Sequence, residues 1–423
     1  MIVAALTSIE STWLYRAALS FFAAYPIVTS IMWITTAWLF RWRWERPEDP
    51  GAGAATEARN WPFVSVLVPA HNEAAVIGRS VRAMLRLDYP AFEVIVVDDG
   101  STDDTLAVLQ PLLADPRLRL VHKPANEGKA MALNDAVPLS RGEILMCVDA
   151  DAEPAPQMLR HIVPHFDSAR VAAVTGNPRV RNTDTFLARL QAVEFSSIIS
   201  LLRRAQRVWG RIVTVSGVVA AFRRNAFLDV GGFSPDMPTE DIELTWKLQR
   251  RFYDVRYEPR AVCWMTVPLS WRGLFRQRLR WARGLMQVLR RHRGVLVDWK
   301  TRRLWPVYVE SALSVLWAVC FVALTVIWSL AYSVGHPPLG ASPIPNFWGM
   351  AIATICLAQL WTGIWIDRRY DPGIARLLLY TVWYPLIYWA FLSFTAVVAL
   401  PTLFRRPPAQ PVRWTTDRQG AGS

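Results

Sequence analysis

The sequence predicts an α/β fold, a parallel sheet covered by helices, carried between membrane-spanning helices. Three observations lead there. Four long stretches carry no charged residue, short β-branched runs alternate with helical patterns between the first two of them, and each of those runs ends in polar residues.

The uncharged stretches are Ala17 to Phe40, Ser311 to Gly335, Phe347 to Ile366 and Leu377 to Leu400, each long enough to cross a hydrocarbon core of about 30 Å. A hydrophobic fraction of 52% with 21 tryptophans agrees with a membrane protein. The first stretch is longer than a signal-peptide core, and no small-residue cleavage site precedes Arg41, Arg43 and Arg46, so it reads as a retained anchor. A linker rich in Pro, Gly, Ala and Glu follows from Pro47 to Asn60. Basic residues flank the intervening domain on both sides, at Arg41 to Arg46 and over Arg272 to Arg303, which by the positive-inside bias places that domain in the cytoplasm. Three full C-terminal crossings would strand Arg405, Arg406, Arg413 and Arg418 on the far side, so Pro385 marks a bent or re-entrant last segment. The net charge of +13 lies largely beside the apolar spans, where anionic headgroups attract it, and this favours membrane lipid over nucleic acid as the partner. Cys147, Cys263, Cys320 and Cys356 are scattered without paired spacing, which excludes a disulfide framework or a zinc site of the usual kind.

The domains expected are an anchor and linker over 1–60, a cytoplasmic catalytic domain over 61–269, amphipathic interface helices over 270–303, C-terminal membrane helices over 304–403 and a basic tail over 404–423. Within the second, strands are expected at Phe63 to Val68, Glu93 to Val97, Leu118 to Val121 and Glu143 to Val148. Helices are expected near Ala75 to Leu87, Asp103 to Leu113 and Lys129 to Leu139. In such sheets ligands bind beyond the carboxyl ends of the strands. Those ends carry His71-Asn72-Glu73, Asp98-Asp99-Gly100-Ser101, Asn126-Glu127-Gly128-Lys129 and Asp149-Ala150-Asp151.

Each polar cluster has a chemistry. One carboxylate of Asp98-Asp99 is placed to accept a base N–H, while Ser101 or Thr102 caps the following helix. Lys129 with backbone N–H groups at a helix start suits a diphosphate. Asp149 and Asp151, two apart on an extended strand end, face one side and hold a divalent cation, Mg²⁺ or Mn²⁺, whose shell phosphate oxygens complete. An isolated Asp-x-Asp is usually incidental; its place at a strand end is what gives it weight. Glu240 and Asp241 open a helical pattern, where negative charge is favourable, and Asp241 is the candidate general base. Ser270 to Gly294 mixes eight arginines with apolar residues in the manner of an interfacial helix.

In order, Pro69-Ala70-His71-Asn72-Glu73, Val97-Asp98-Asp99-Gly100-Ser101, Glu127-Gly128-Lys129, Asp149-Ala150-Asp151, Thr239-Glu240-Asp241 and Gln277-x-x-Arg280-Trp281 resemble the processive family 2 glycosyltransferases, among them cellulose, chitin and hyaluronan synthases. Val174 to Arg179, Glu194 to Ile199, Thr214 to Val218, Tyr257 to Trp264 and Arg413-Trp414 are similar to one branch, the bacterial poly-β-1,6-N-acetylglucosamine synthases. The resemblance implies a GT-A domain, a Rossmann-like mixed sheet with helices on both faces. It implies transfer from UDP-N-acetylglucosamine with inversion onto a growing polysaccharide chain, in the bacterial inner membrane. By residue, it implies Ala70, Glu73, Asp99, Lys129, Asp149, Asp151 and Arg280 at the nucleotide sugar, Asp149 and Asp151 at the metal, Asp241 with Glu240 at the transferred proton, and Gln277, Trp281, Ser216 and Gly217 at the acceptor. It also implies a small two-helix membrane subunit and activation by cyclic di-GMP. The alternatives are another processive β-glycan synthase or a non-processive polyprenyl-phosphate glycosyltransferase. The chain departs from close relatives at Met1 to Ser11, too short for a second N-terminal span.

Overall fold

The computed structural model describes residues 2–45, 60–335, 347–405 and 412–413. Residues 47–59 of the expected linker lie outside them, as do Arg46 and, in the expected tail, residues 406–411 and 414–423, among them Arg406, Trp414 and Arg418. A short helix α1 (Ile2–Ser11) precedes α2 (Trp13–Trp44), whose 32 residues are capped by Thr12 at the start and run through Pro26. At 1.5 Å per residue α2 is about 48 Å long, more than a hydrocarbon core requires, so its basic end reaches the soluble domain.

The first half of that domain has the elements expected. They are β1 (Val64–Ala70), α3 (Ile77–Leu85), β2 (Phe92–Asp99), α4 (Thr105–Leu109), β3 (Leu118–Lys123), α5 (Lys129–Leu139) and β4 (Ile144–Val148). Alternate residues of one strand enter two different cores. Val64, Val66, Val68, Val94, Val96, Ile144, Met146 and Val148 join one cluster, while Leu67, Ile95, Val97, Leu145 and Cys147 join the other. That two-sided burial is the mark of a sheet covered by helices on both faces.

The second half turns the sheet mixed. It comprises β5 (Glu153–Pro154), α6 (Met158–Ile162), β6 (Val171–Val180), α7 (Phe186–Glu194), a π-wound turn over Phe195–Ser200, α8 (Leu201–Trp209), β7 (Val219–Arg223), α9 (Arg224–Asp229), α10 (Glu240–Arg250) and β8 (Asp254–Met265). The eight strands lie in the order β3-β2-β1-β4-β7-β6-β8-β5. The first four are mutually parallel, but β7 runs antiparallel to both β4 and β6. The sheet is thus parallel over β1–β4, as the alternation of strands and helices predicts, and mixed as a whole, as the resemblance implies. Because β7 is reversed, its beginning lies against the carboxyl end of β4, which brings Ser216 and Gly217 to the edge where the other strand ends converge.

Helix α11 (Trp271–Arg291) leads to α12 (Trp305–Ser333), α13 (Phe347–Asp367) and the last apolar stretch. Among the described residues four helical stretches, Trp13–Trp44, Trp299–Ser333, Gly349–Asp367 and Tyr384–Leu403, are long and apolar enough to cross a membrane. The last is irregular: a 3₁₀ segment over Pro372–Val382 and a π-wound turn at Tyr384–Tyr388 precede α14 (Trp389–Ala399). Its start meets the soluble domain and its end meets α11. Arg189 bonds to Tyr380 near its start, and Arg290 bonds to the Arg405 carbonyl after its end.

A buried polar joint fastens the domain to these helices. Glu45, past the end of α2, pairs with Arg204 of α8 at 2.6 Å, and Arg204 pairs with Asp367, the last residue of α13, at 2.8 Å. Asp367 also pairs with Arg179 of β6. The π-wound turn supplies Ser200, which accepts from Arg204 at 2.6 Å and donates to Asp367 at 3.2 Å.

Candidate active site

Lys129 is the first residue of α5, and its ammonium points beneath the strand edge rather than into solvent. It donates to Asp149 Oδ1 at 2.5 Å and to the Gly217 carbonyl at 2.9 Å, and lies 3.6 Å from Glu240 Oε1. Burial pulls its proton affinity down, but Asp149, Glu240 and Asp241 outweigh this and hold it well above the usual lysine range. Asp241 stands beside it, on the first turn of α10. Its carboxyl is pushed up to about 6, first by burial and then by Glu240, against the opposing influence of Lys129, the Ile242 N–H and Arg280. The Ile242 N–H donates to Asp241 Oδ1 at 2.9 Å. A side chain at Gly217 would meet Asp241 Oδ2 at 3.1 Å and Lys129 Nζ at 3.5 Å, so glycine is what lets β7 begin against these charges. Lys129, Gly217, Glu240, Asp241 and Phe222 line a cavity of about 10 Å³, the room one water needs.

The strand-end loops are tied to one another. Asp99 accepts from the Glu127 N–H at 3.1 Å and the Gly128 N–H at 2.7 Å, so its carboxylate fastens the loop ahead of Lys129. Of the aspartate pair it is Asp98 whose Oδ1 is buried without a hydrogen-bond partner; its Oδ2 meets His122 Nδ1 at 2.7 Å. Asn72, at a positive φ of 54°, accepts from the Thr102 N–H at 2.8 Å, and its own N–H donates to Ser101 at 2.9 Å. The N-cap of helix α4 is Asp104 rather than Ser101 or Thr102 as the sequence suggested, and Asp103 before it accepts from the Thr105 N–H at 3.0 Å. Ala70 ends β1 and is buried opposite Asp98, while the Glu73 N–H donates to Thr105 at 2.9 Å.

Asp149 and Asp151 do not sit on an extended strand. Strand β4 ends at Val148, and the Ala152 N–H closes a turn onto the Asp149 carbonyl at 3.0 Å. Asp151 Oδ2 accepts from Thr266 at 3.3 Å. Both carboxylates still lie close to one side chain, Cys263, whose thiol is raised by burial first and then by Asp151 and Asp149. Among the described residues no three His, Cys, Asp or Glu side chains form a metal cage. That fits an ion held by one or two carboxylates and completed by substrate phosphate. The one ammonium set among Asp149, Glu240 and Asp241 leaves negative charge in excess, which favours such a cation.

Helix α11 carries the remaining candidates. Gln277, Arg280, Trp281 and Gly284 are spaced i, i+3, i+4 and i+7, which puts them on one face. A Cβ at Gly284 would lie 2.0 Å from Thr239 Oγ1, so the bare backbone there lets α11 rest on the start of α10. Arg280 donates to the Pro238 carbonyl at 3.3 Å and is otherwise exposed. Trp281 is half buried in an apolar cluster that also contains Val218 and residues of the membrane helices, including Leu360 and Ile364. Gln277 accepts from Arg278 at 2.8 Å, and nothing joins it directly to Asp241. Ser216 donates its N–H to Thr175 at 2.8 Å, anchoring the turn before Gly217.

Residues 65–231 match the model of the family described as glycosyl transferase family 2. The poly-beta-1,6-N-acetyl-D-glucosamine synthase of Staphylococcus epidermidis is 32% identical over 405 residues, covering 95% of this chain and 98% of that one. The synthase of the same name from Staphylococcus aureus is 31% identical over 409 residues with the same coverage. The chain is a family 2 glycosyltransferase. Its fold is shared with a mannosyltransferase from Pyrobaculum calidifontis, solved with GDP-Man and Mn²⁺, at a TM-score of 0.60 and 24% identity, covering 90% of this chain and 99% of that one.

Two features of this glycosyltransferase escaped the sequence. Arg278, one arginine of eight in its segment, is the buried one. It pairs with Glu194, donates to Tyr388 at 3.2 Å, and lies 4.0 Å from the Trp281 ring centroid. It therefore sets the tryptophan against the membrane helices. The second is the tail. The Val412 N–H donates to the Pro235 carbonyl at 2.9 Å, and the Val412 carbonyl lies where a Cβ on Gly128 would sit, 2.2 Å away. Glycine at 128, with φ 94°, is required both by the turn and by that approach. No signal local to residue 412 announces a contact with residue 128.

Proposed function

We propose that this glycosyltransferase polymerises N-acetylglucosamine from UDP-N-acetylglucosamine into poly-β-1,6-N-acetylglucosamine. The observation that carries the reading is Asp241, half-buried at the head of α10 with its proton affinity lifted to about 6, beside Gly217 and the Lys129–Asp149 pair, in a chain aligned over 95% of its length with synthases of that product. A carboxylate tuned near neutrality suits a base that takes a proton from a hydroxyl at working pH.

In this mechanism Asp241 accepts the proton of the acceptor's terminal 6-hydroxyl as that oxygen displaces UDP from the donor's anomeric carbon, inverting it. Lys129 and Arg280 hold the negative charge that grows on the leaving diphosphate. Asp149 and Asp151 would hold a divalent metal, Mg²⁺ or Mn²⁺, which supplies Lewis-acid charge to the same phosphates. Asp99 and Glu73 shape the nucleotide loop, Ser216 and Gly217 the floor, and Trp281 with Gln277 the acceptor side. The catalytic domain faces the cytoplasm of a bacterial inner membrane, with a two-helix subunit beside it and cyclic di-GMP as activator; synthesis that ignores cyclic di-GMP in partner-containing membranes would remove the last element.

The test is incubation of membranes containing the protein and its small subunit with labelled UDP-N-acetylglucosamine and Mg²⁺, then digestion with a β-1,6-specific hexosaminidase. A sensitive polymer is expected. A resistant polymer would mean another glycan, and a single sugar on lipid would mean a non-processive transferase.

A further inference from the structure

Where α2 and α13 end at the soluble domain there is an open cavity of about 440 Å³, lined by Arg41, Trp365, Arg368, Arg369, Pro372 and Ala375. Its volume is that of a small-ligand site. The Arg41 and Arg368 guanidinium carbons lie 4.6 and 4.7 Å from the centroid of the same Trp365 ring. Trp38 lies 4.9 Å from that ring and 5.8 Å from Arg41. Arg369 donates to the Glu45 carbonyl at 3.0 Å.

Three like charges thus gather, two of them on one indole, and the acid that acts on Arg41 is Glu45, which is paired with Arg204. Among the described residues none of Arg41, Arg368 and Arg369 forms an ion pair, and the nearest acids are already committed. Glu45 is paired with Arg204, and Asp367 with Arg204 and Arg179, with side chains 1% and 0% exposed. Stacking on one indole offsets part of the repulsion but supplies no anion.

We propose that this cavity binds a phosphate ester, held by the guanidinium forks of Arg41 and Arg368 beside the half-exposed Trp365. Arginine suits phosphate because its planar fork bonds two oxygens at once. The position fits a lipid headgroup: Arg41 lies in the last turn of one apolar helix, Arg368 follows the last residue of another, and a tryptophan stands at that level. The cavity adjoins the joint, since Arg369 on its wall donates to the Glu45 carbonyl. The site is independent of the sugar chemistry proposed above.

The experiment uses the full chain in nanodiscs of phosphatidylcholine with graded phosphatidylglycerol, and reads retained lipid by native mass spectrometry. The wild type is expected to keep one phosphatidylglycerol per chain, and R41A/R368A to lose about 30-fold in apparent affinity, at roughly one unit of headgroup attraction per arginine. R41K/R368K should recover part of it. R293A/R302A, an equal change of charge elsewhere, should leave retention unchanged; equal losses in both pairs would reduce the effect to diffuse surface attraction and overturn the site. Adding sodium phosphate separates the sources. Displacement without lipid preference identifies a soluble phosphate as occupant, and retention indifferent to lipid, phosphate and substitution overturns the proposal. Single R368A, at an exposed position, keeps the test available if the double variant does not fold.

Discussion

In the reaction centre one ammonium, Lys129, faces Asp149, Glu240 and Asp241; in the membrane joint two guanidiniums, Arg179 and Arg204, face Glu45 and Asp367. Both clusters are largely buried and use the same kinds of group, yet their balance differs. The joint pairs two guanidiniums with two carboxylates, and the Ser196 and Ser200 hydroxyls add bonds to Asp367 and Arg204. The centre sets three carboxylates around one ammonium, and Asp241 has its proton affinity raised there, first by burial and then by Glu240. Matched buried charge fastens one element to another, whereas unmatched buried charge keeps a proton, a cation or a substrate in demand.

If that distinction holds, the two clusters respond oppositely to neutralisation. Asp241→Asn is expected to lower turnover on the order of 10²- to 10⁴-fold, the contribution of a positioned base. Its thermal midpoint should not fall, since a strained charge is removed. Retained turnover, measured by polymer formation at saturating donor, would take the base role from Asp241. Asp367→Asn should do the reverse. It leaves Arg179 and Arg204 buried with half their counter-charge, a loss of about 3–5 kcal/mol in stability of the kind seen when one partner of a buried pair is removed. Thermal unfolding of the purified full chain reads it, and an unchanged midpoint would mean that the joint does not hold the domain to the membrane helices.

A smaller effect tests how the centre is closed. Gly284→Ala drives a methyl into Thr239 and pushes α11 from the start of α10, with an expected overpacking cost of about 1–3 kcal/mol. Activity should fall with it because Arg280 rides on the same face. Thr239→Gly in the same chain should restore packing; a double variant no more stable than Gly284→Ala would show that the two helices are not held by this contact.

The same contrast explains what the sequence disclosed. The strand ends were legible because a parallel sheet collects them in space, so Asp99, Lys129 and Asp149 could be joined before any contact was known. Gln277, Arg280 and Trp281 were singled out only by the resemblance, since in themselves they read as part of a basic interfacial helix. Gly217 owes its place to the reversal of β7, which the alternation of strand and helix patterns did not announce. The joint was invisible: Arg179 and Asp367 are 188 residues apart, and each alone is an ordinary charge near a strand or helix end. Asp149 and Asp151 were expected on an extended strand end, whereas a turn positions them.

The smallest effect is the most specific to unmatched charge. A base must be unprotonated, so turnover is expected to fall roughly tenfold per pH unit below Asp241's proton affinity of about 6 and to level off above it. Glu240 raises that affinity, so Glu240→Gln should move the acid limb to lower pH while leaving turnover on the plateau less affected. Arg280 lowers it from the other side, so Arg280→Ala should move the limb to higher pH, and by less, because Arg280 is exposed and water screens its charge. A purely structural role for either residue would lower turnover at every pH without moving the limb. Opposite displacements from two neutralisations of opposite sign would locate the titrating group between them, which is where Asp241 stands.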